Sequence, residues 1–325
     1  MGKLKLRGQD LIHIGFPEGP AIGTALGIAN QHFPKSNKTY VLAIFRQLLE
    51  EPERYAQDPV LAPLVKKLQV QEESKEIELL EEAGDYPVYG EEAIEAGAKK
   101  QMNTAMRLPI AVGGALMADA HQGYGLPIGG VLATQNTVIP YGVGMDIGCR
   151  MALTVYDLKP DFIENERFRL KKFLQQNTRF GFDAFEHPMD DEVLERPEFK
   201  EIKVIKSLKQ RAVKQIGSSG SGNHFVEFGI ANITDEQNEF DLPVGEYVAV
   251  LSHSGSRGLG ANIAKHYTTL AKKQSPLPRE AQHLAWLDMD SEEGQEYWLA
   301  MNLAGDYASA CHRHIHHRLA KALGD

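Results

Sequence analysis

The stretch YGVGMDIGCRM, residues 141–151, places Asp146 three residues before Cys149 and sets both among Gly142, Gly144 and Gly148. Gly148 permits a sharp turn, so the carboxylate and the thiol can aim at one point. Two such groups repel unless a cation lies between them, and a bound metal deprotonates a thiol outright. The alternative is a buried structural cysteine beside a turn aspartate. Two histidines occupy matched settings. His224 stands where GSSGSGNHFVEF (217–228) enters a strand, and His253 where LSHSGSRGLG (251–260) leaves one. Rigid strand ends feeding flexible loops are common places for binding residues. Asp146, Cys149, His224 and His253 form a mixed oxygen, sulfur and nitrogen set suited to a divalent transition metal.

A second chemistry adjoins the first. The SGSRGLG loop offers consecutive backbone N–H groups, the hydroxyls of Ser254 and Ser256, and the Arg257 guanidinium, and then passes into a helix. Backbone donors, a helix N-terminus and a guanidinium fork together can cradle a phosphate. In ADAHQGYGLPIGG (118–130), Asp119 and His121 share a face if the segment is extended. They could be ligands, residues supporting the ligands from behind, or a hydrogen-bonded pair that only fixes the turn, with support from behind ahead of direct ligation. A further cluster, CHRHIHHR (311–318), puts His312 and His316 on one helix face and His314 and His317 on another. Such pairs could form a weak zinc or nickel site, but Arg313 and Arg318 oppose a cation there, so the expectation is an exposed basic helix end that favours the macrodipole.

These side chains need positioning elements. GGVLATQNTVIP (129–140), RMALTVYDL (150–158), NHFVEFGIA (223–231) and EYVAVLSHSG (246–255) have strand composition. Helical spacing predicts helices in 19–33, 38–56, 90–108, 165–176, 196–208 and 261–274. A long helix is expected from Asp290, with Glu293 completing a capping box, to Leu323, with Gly324 as its C-terminal stop. Strands and helices mix without βαβ regularity, which predicts an α+β fold. An acidic stretch, 69–87, suggests a solvated face or linker and a boundary near residue 85.

Composition limits the alternatives. The chain has 325 residues, 42% of them hydrophobic and 24% charged, with two cysteines and a net charge of −9. Two cysteines make no disulfide framework, and the start MGKLKLRGQD lacks a secretory apolar region. No apolar run approaches a membrane span, so the expected compartment is a reducing cytoplasm. The acidic balance gives no global pull on nucleic acid, so phosphate binding must be local.

DAHQGYGLPIGG, VGMDIGC, GSGNHFVE and HSGSRGLG, in this order, resemble the RtcB family of RNA-splicing ligases, with the likeness covering residues 86–325. The resemblance implies an α+β catalytic core behind a helical extension at 1–85. It implies a GTP- and manganese-dependent joining of an RNA 3′-phosphate or 2′,3′-cyclic phosphate to a 5′-hydroxyl, by way of a guanylylated histidine. It places metal binding at Asp146, Cys149, His224 and His253, nucleotide contacts along Asn223, His224, Phe225, Val226 and Glu227, and a phosphate contact at Ser256 and Arg257. Manganese binds weakly among divalent metals, so zinc is expected to displace it in purified protein. Arg150 stands where the family commonly has glycine, and Ala118 where it often has proline, which suggests a divergent subgroup. A further metal-binding histidine, the guanylylated histidine and a late lysine of the family have no counterpart before Asp325. The expectation is that residues 1–325 alone form no covalent GMP adduct. Residues 10–26 resemble the helical tail of tRNA nucleotidyltransferases, against the plainer reading of a helical extension. Two rival functions stand beside the ligase: a metal-dependent phosphodiesterase or phosphatase, and a non-catalytic RNA- or nucleotide-binding fragment.

Overall fold

The computed structural model describes all residues except 1–3, 5, 18, 19, 74, 75, 240 and 325. Residues 18 and 19 of the 10–26 motif, and 74 and 75 of the acidic stretch, therefore lie outside the described residues. The chain forms two compact units, Met1–Glu76 and Ile77–Asp325. Residues between 77 and the expected boundary near 85 are already tied into the second unit. Ile77 N donates to Pro276 O, and Leu80 N donates to Arg107 O.

The first unit is helical: α1 (Gly8–Ile12), α2 (Pro20–His32), α3 (Lys38–Glu50) and α4 (Ala62–Glu73). In α3 the Asn37 side chain caps the helix by accepting from Thr39 N. Val41, Phe45 and Leu48 recur at helical spacing and are fully buried. Phe16 meets Phe45 edge to face, with ring centroids 5.8 Å apart.

The second unit runs α5 (Ala96–Met106), β1 (Ala111–His121), β2 (Ile128–Thr134), β3 (Thr137–Val138), α6 (Pro140–Val143), β4 (Arg150–Tyr156), α7 (Asp161–Asn165), α8 (Arg167–Asn177), α9 (Glu198–Glu201), α10 (Lys203–Gln215), β5 (Phe225–Ile233), β6 (Gly245–Ser254), α11 (Arg257–Gln274), β7 (Leu287–Asp288) and α12 (Glu292–Leu323). The chain is thus α+β, as its pattern predicts. No helix among the described residues is long and apolar enough to cross a membrane. The helix expected over 90–108 is shorter, because Gly90 takes a left-handed conformation and Glu95 is extended. The helix expected over 196–208 breaks into α9 and α10, where the buried Ile202 turns extended. The long helix begins one residue later than expected: Ser291 is the cap, and its hydroxyl accepts from Gly294 N. β1 has no counterpart in the sequence-based expectation, since its glycines and alanines carry little strand signal.

β6 is the central strand of an antiparallel sheet ordered β4-β6-β5. His253 pairs with Met151 on one side and Phe225 on the other. Strand alternation puts His253 on one face of this sheet and Ser252 and Ser254 on the opposite one. α12 covers the Ser252 face, where Tyr156, Val226, Val250, Ile315 and Leu319 form a buried cluster. α10, α11 and the first half of α12 build the larger core around Ile205, Ile263, Tyr267, Tyr297 and Tyr307.

Candidate metal and phosphate site

Asp146 and Cys149 lie in the loop before β4. Ile147 between them is 2% exposed and anchors that loop in the core. Gly148 has φ +76, and a Cβ there would lie 2.8 Å from the Cα of Gly305 on α12. Only glycine allows both the left-handed turn and this close approach. The turn is closed by Cys149 N donating to Asp146 O at 3.2 Å. Gly255 makes room on the other side, because a Cβ there would sit 2.2 Å from the Asp146 carboxylate.

Sγ of Cys149 lies 2.9 Å from Nε2 of His253 and 3.5 Å from Nε2 of His224. These three donor atoms all fall within 4.8 Å of one another. Asp146 flanks them: one carboxylate oxygen is 2.8 Å from His224 Nε2, and the other accepts from Ser256 N at 3.0 Å. Nδ1 of His253 faces Asn223 O at 3.0 Å. A carbonyl only accepts, so Nδ1 carries the proton and the Nε2 lone pair points at the cluster. Nδ1 of His224 is buried with no partner among the described residues. Burial, reinforced by the Asp146 charge, pushes the Cys149 thiol up to about 11. Burial draws His224 below its usual range, opposed by Asp146. Without a cation the cluster therefore holds a protonated thiol, and a divalent metal fits its S, N, N donors with a carboxylate alongside.

The cluster opens onto a cavity of about 590 Å³ whose lining includes Asp146, Arg211, Asn223, His224, Arg257 and Asn262. Arg257 is the first residue of α11 and has φ +57, a left-handed conformation that costs a side-chain-bearing residue about 1–2 kcal/mol. Its Nε donates to Ser218 Oγ at 3.1 Å, and a terminal nitrogen donates to Gly181 O. The protein thus fixes the guanidinium in the cavity wall. Arg211, which also lines this cavity, escaped the sequence reading; its only signal was a cation on the face of α10 that meets α11.

The other expected site residues are distributed unevenly. Ser256 is fully buried, and its hydroxyl lies 3.4 Å from Asp146, so it orients the carboxylate and does not line the cavity. Of the Asn223–Glu227 run, Asn223 and His224 line the cavity, and Phe225 lies against His253 with ring centroids 5.8 Å apart. Val226 points the opposite way, into the core under α12, because alternation along β5 turns it there. Glu227 is exposed on the His253 face. Asp119 and His121 lie on the separate β1-β2 sheet, where His121 Nδ1 faces Asp119 O at 3.0 Å. Neither lines the cavity or bonds to the cluster among the described residues.

The 311–318 segment is the clearest correction. Cys311 is fully buried, and His312, His314 and His316 are 4%, 8% and 9% exposed. The helix end packs against the sheet and against Asp191, which lies 3.0 Å from His314 and 3.2 Å from Arg313. Partners distant in sequence bury what local composition marks as a basic surface.

The family model described as tRNA-splicing ligase RtcB matches residues 101–204 and 186–325. The RNA-splicing ligase RtcB homolog 1 of Entamoeba dispar is 30% identical over 69% of this chain and 49% of its own length. The tRNA-splicing ligase RtcB of Thermococcus kodakarensis is 30% identical over 66% of the chain and 52% of its own. That of Nanoarchaeum equitans is 33% identical over 60% of the chain and 48% of its own. The chain spans about half the length of the curated relatives it matches. The matched span takes in the Asp146–Cys149 turn, both histidine-bearing strands and both glycine-serine loops, and on that extent of agreement the chain belongs to the RtcB family.

Proposed function

We propose that this chain carries the metal- and nucleotide-binding core of an RNA ligase that joins a 3′-phosphate or 2′,3′-cyclic phosphate to a 5′-hydroxyl with GTP and manganese. The observation that supports this reading best is the Cys149–His224–His253 cluster at the edge of a cavity walled by Arg211 and Arg257. Cys149, His224 and His253 would hold the metal, with Asp146 as a fourth donor. When bound, the metal would draw charge from phosphate oxygens and lower the proton affinity of the thiol. The Asn223 carbonyl holds His253 in the tautomer that leaves Nε2 free. Ser256 fixes the angle of the Asp146 carboxylate. Asn223, His224, Phe225 and Glu227 would meet the nucleotide from the side of the sheet that bears His253, with Val226 contributing backbone only. Arg257 and Arg211 would grip phosphate oxygens, each as a planar fork.

The test has two measurements. Cys149→Ser should lose most of its manganese or zinc by elemental analysis and lose metal-dependent GTP binding, with the circular dichroism spectrum unchanged. Full metal content in the variant overturns the site. RNA bearing 2′,3′-cyclic-phosphate and 5′-hydroxyl ends, incubated with and without GTP, separates the reactions. Metal-dependent opening of the cyclic phosphate without GTP and without joining would replace ligation by phosphodiesterase chemistry.

A further inference from the structure

α10 and α11 pack side by side, and their sequences share an unusual property. Lys203–Gln215 carries five lysines and arginines, and Arg257–Gln274 carries four, yet neither helix contains an aspartate or glutamate. This occurs in a chain whose net charge is −9. Three of the nine are turned to other partners: Lys209 pairs with Glu195 at 3.4 Å, Lys272 contacts His283 at 3.3 Å, and Arg257 is held by Ser218 and Gly181. Arg211, Lys265 and Lys273 make no ion pair among the described residues, and all three are exposed.

The helices leave a groove of about 430 Å³ between them, floored by Val204 and Leu208 and walled by Lys265, His266 and Lys273. Asn262 lines both this groove and the cavity beside the Cys149 cluster, so the two adjoin at that residue. Arg211 stands at the junction, packed across Gly258 at the start of α11. From Arg257 to Lys273 the α11 axis runs ~24 Å at 1.5 Å per residue, long enough for several nucleotides of a single strand. His266 is exposed, and Tyr267 braces its ring, with centroids 4.9 Å apart and planes at 88°. A flat imidazole of this kind can stack on a base.

We propose that the α10–α11 groove is the track along which the phosphodiester backbone of the RNA strand leaves the site, with Arg211, Lys265 and Lys273 contacting successive phosphates. The proposal rests on the ligase reading above and adds the path of the strand. Lysines spaced along a groove contact phosphates without reading sequence, so the track serves any RNA end. An acidic protein segment would satisfy the same charge, but the shared Asn262 wall with the cavity beside the Cys149 cluster favours the strand whose end must reach it.

The experiment measures the binding of labelled oligouridylate to the full chain over a range of salt concentrations. The double variant Lys265→Gln/Lys273→Gln should bind more weakly at every salt concentration. The slope of log affinity against log salt should shrink by about 1.4, at about 0.7 for each single-strand phosphate that a lysine no longer neutralises. A charge-matched control, Lys171→Gln/Lys172→Gln on α8, should keep the wild-type slope. Equal slopes for the groove variant and the wild type overturn the track while leaving the ligase reading intact. No binding of RNA by the wild type even at low salt overturns both. A slope change seen with polyglutamate but not with RNA assigns the groove to an acidic protein segment and also overturns the proposal.

Discussion

The two faces of β6 carry histidines for opposite reasons. On the α12 face, His312 Nε2 lies 3.2 Å from the Ser254 carbonyl, so Nε2 holds the proton and Nδ1 accepts. The Ser252 hydroxyl, 2.6 Å away, donates to that Nδ1. Its oxygen is then free to accept from His316 Nε2–H at 2.7 Å. His316 Nδ1 in turn accepts from the Thr154 hydroxyl at 2.7 Å. Every ring nitrogen is paired with both rings neutral, and one direction of donation runs through the whole chain. On the other face the network stays open: His253 Nε2 and His224 Nε2 converge on Cys149, and His224 Nδ1 has no partner among the described residues. Burial together with a closed hydrogen-bond chain makes a structural histidine. An incomplete chain beside a cavity leaves ring nitrogens able to take a ligand.

Breaking the closed chain should give the largest effect on stability. Ser252→Ala strands two buried ring nitrogens at once. Each unsatisfied group costs about 1–3 kcal/mol, so the loss should be roughly 2–6 kcal/mol. Urea unfolding with an unchanged m-value measures it, and bound metal should be unaffected, because Ser252 faces away from Cys149. A loss under ~0.5 kcal/mol, the range of an ordinary surface change, would break the contrast between the faces.

The same contrast explains what the sequence made legible. The strands at 150–158, 223–231 and 246–255 announce themselves by alternation and β-branched residues, and the DIGC turn by its glycines. His224 and His253 stand out because each sits between a strand and a glycine-serine loop. His312, His314 and His316 mislead because the partners that bury them are remote in sequence: Ser252 is 60 residues from His312, Asp191 is 123 from His314, and Thr154 is 162 from His316. β1 is hidden because Gly113, Gly114 and its alanines look like a loop, although Gly114 is where Met102 and Met106 press closest. Asp119 and His121 drew attention by spacing, and spacing alone does not say which sheet a segment joins.

The second effect is of intermediate size and depends on pH. Burial lowers His312 and draws His316 down to about 4, whereas an unfolded histidine titrates near 6.5. The unfolded state therefore binds the proton first. The His316 contribution is complete above pH 6.5 and is lost as pH falls toward 4. His316 alone should remove about 2 kcal/mol by pH 5, with the lowered His312 and His314 acting in the same direction. Urea midpoints at pH 7 and pH 5 test this. His316→Gln should be less stable at pH 7 but should lose less on acidification. An equal loss in the two proteins would mean that the acid sensitivity lies elsewhere.

The smallest effect belongs to the open face. Cys149 is exposed, and its sulfur lies against the His253 and His224 ring nitrogens and beside Asp146. A serine hydroxyl in its place can still donate to His253 Nε2, so no buried group is stranded and no cavity opens. With metal removed by a chelator, Cys149→Ser should match the wild type within ~0.5 kcal/mol. With metal restored the two should separate. A ligand at a hundredfold excess over its dissociation constant stabilises the native state by about 2.7 kcal/mol, and only the wild type should gain it. Thermal unfolding of both proteins with and without manganese gives all four values. A metal-free variant more than ~2 kcal/mol less stable would make Cys149 a packing residue like the buried Cys311. The two faces of β6 would then differ in degree and not in kind.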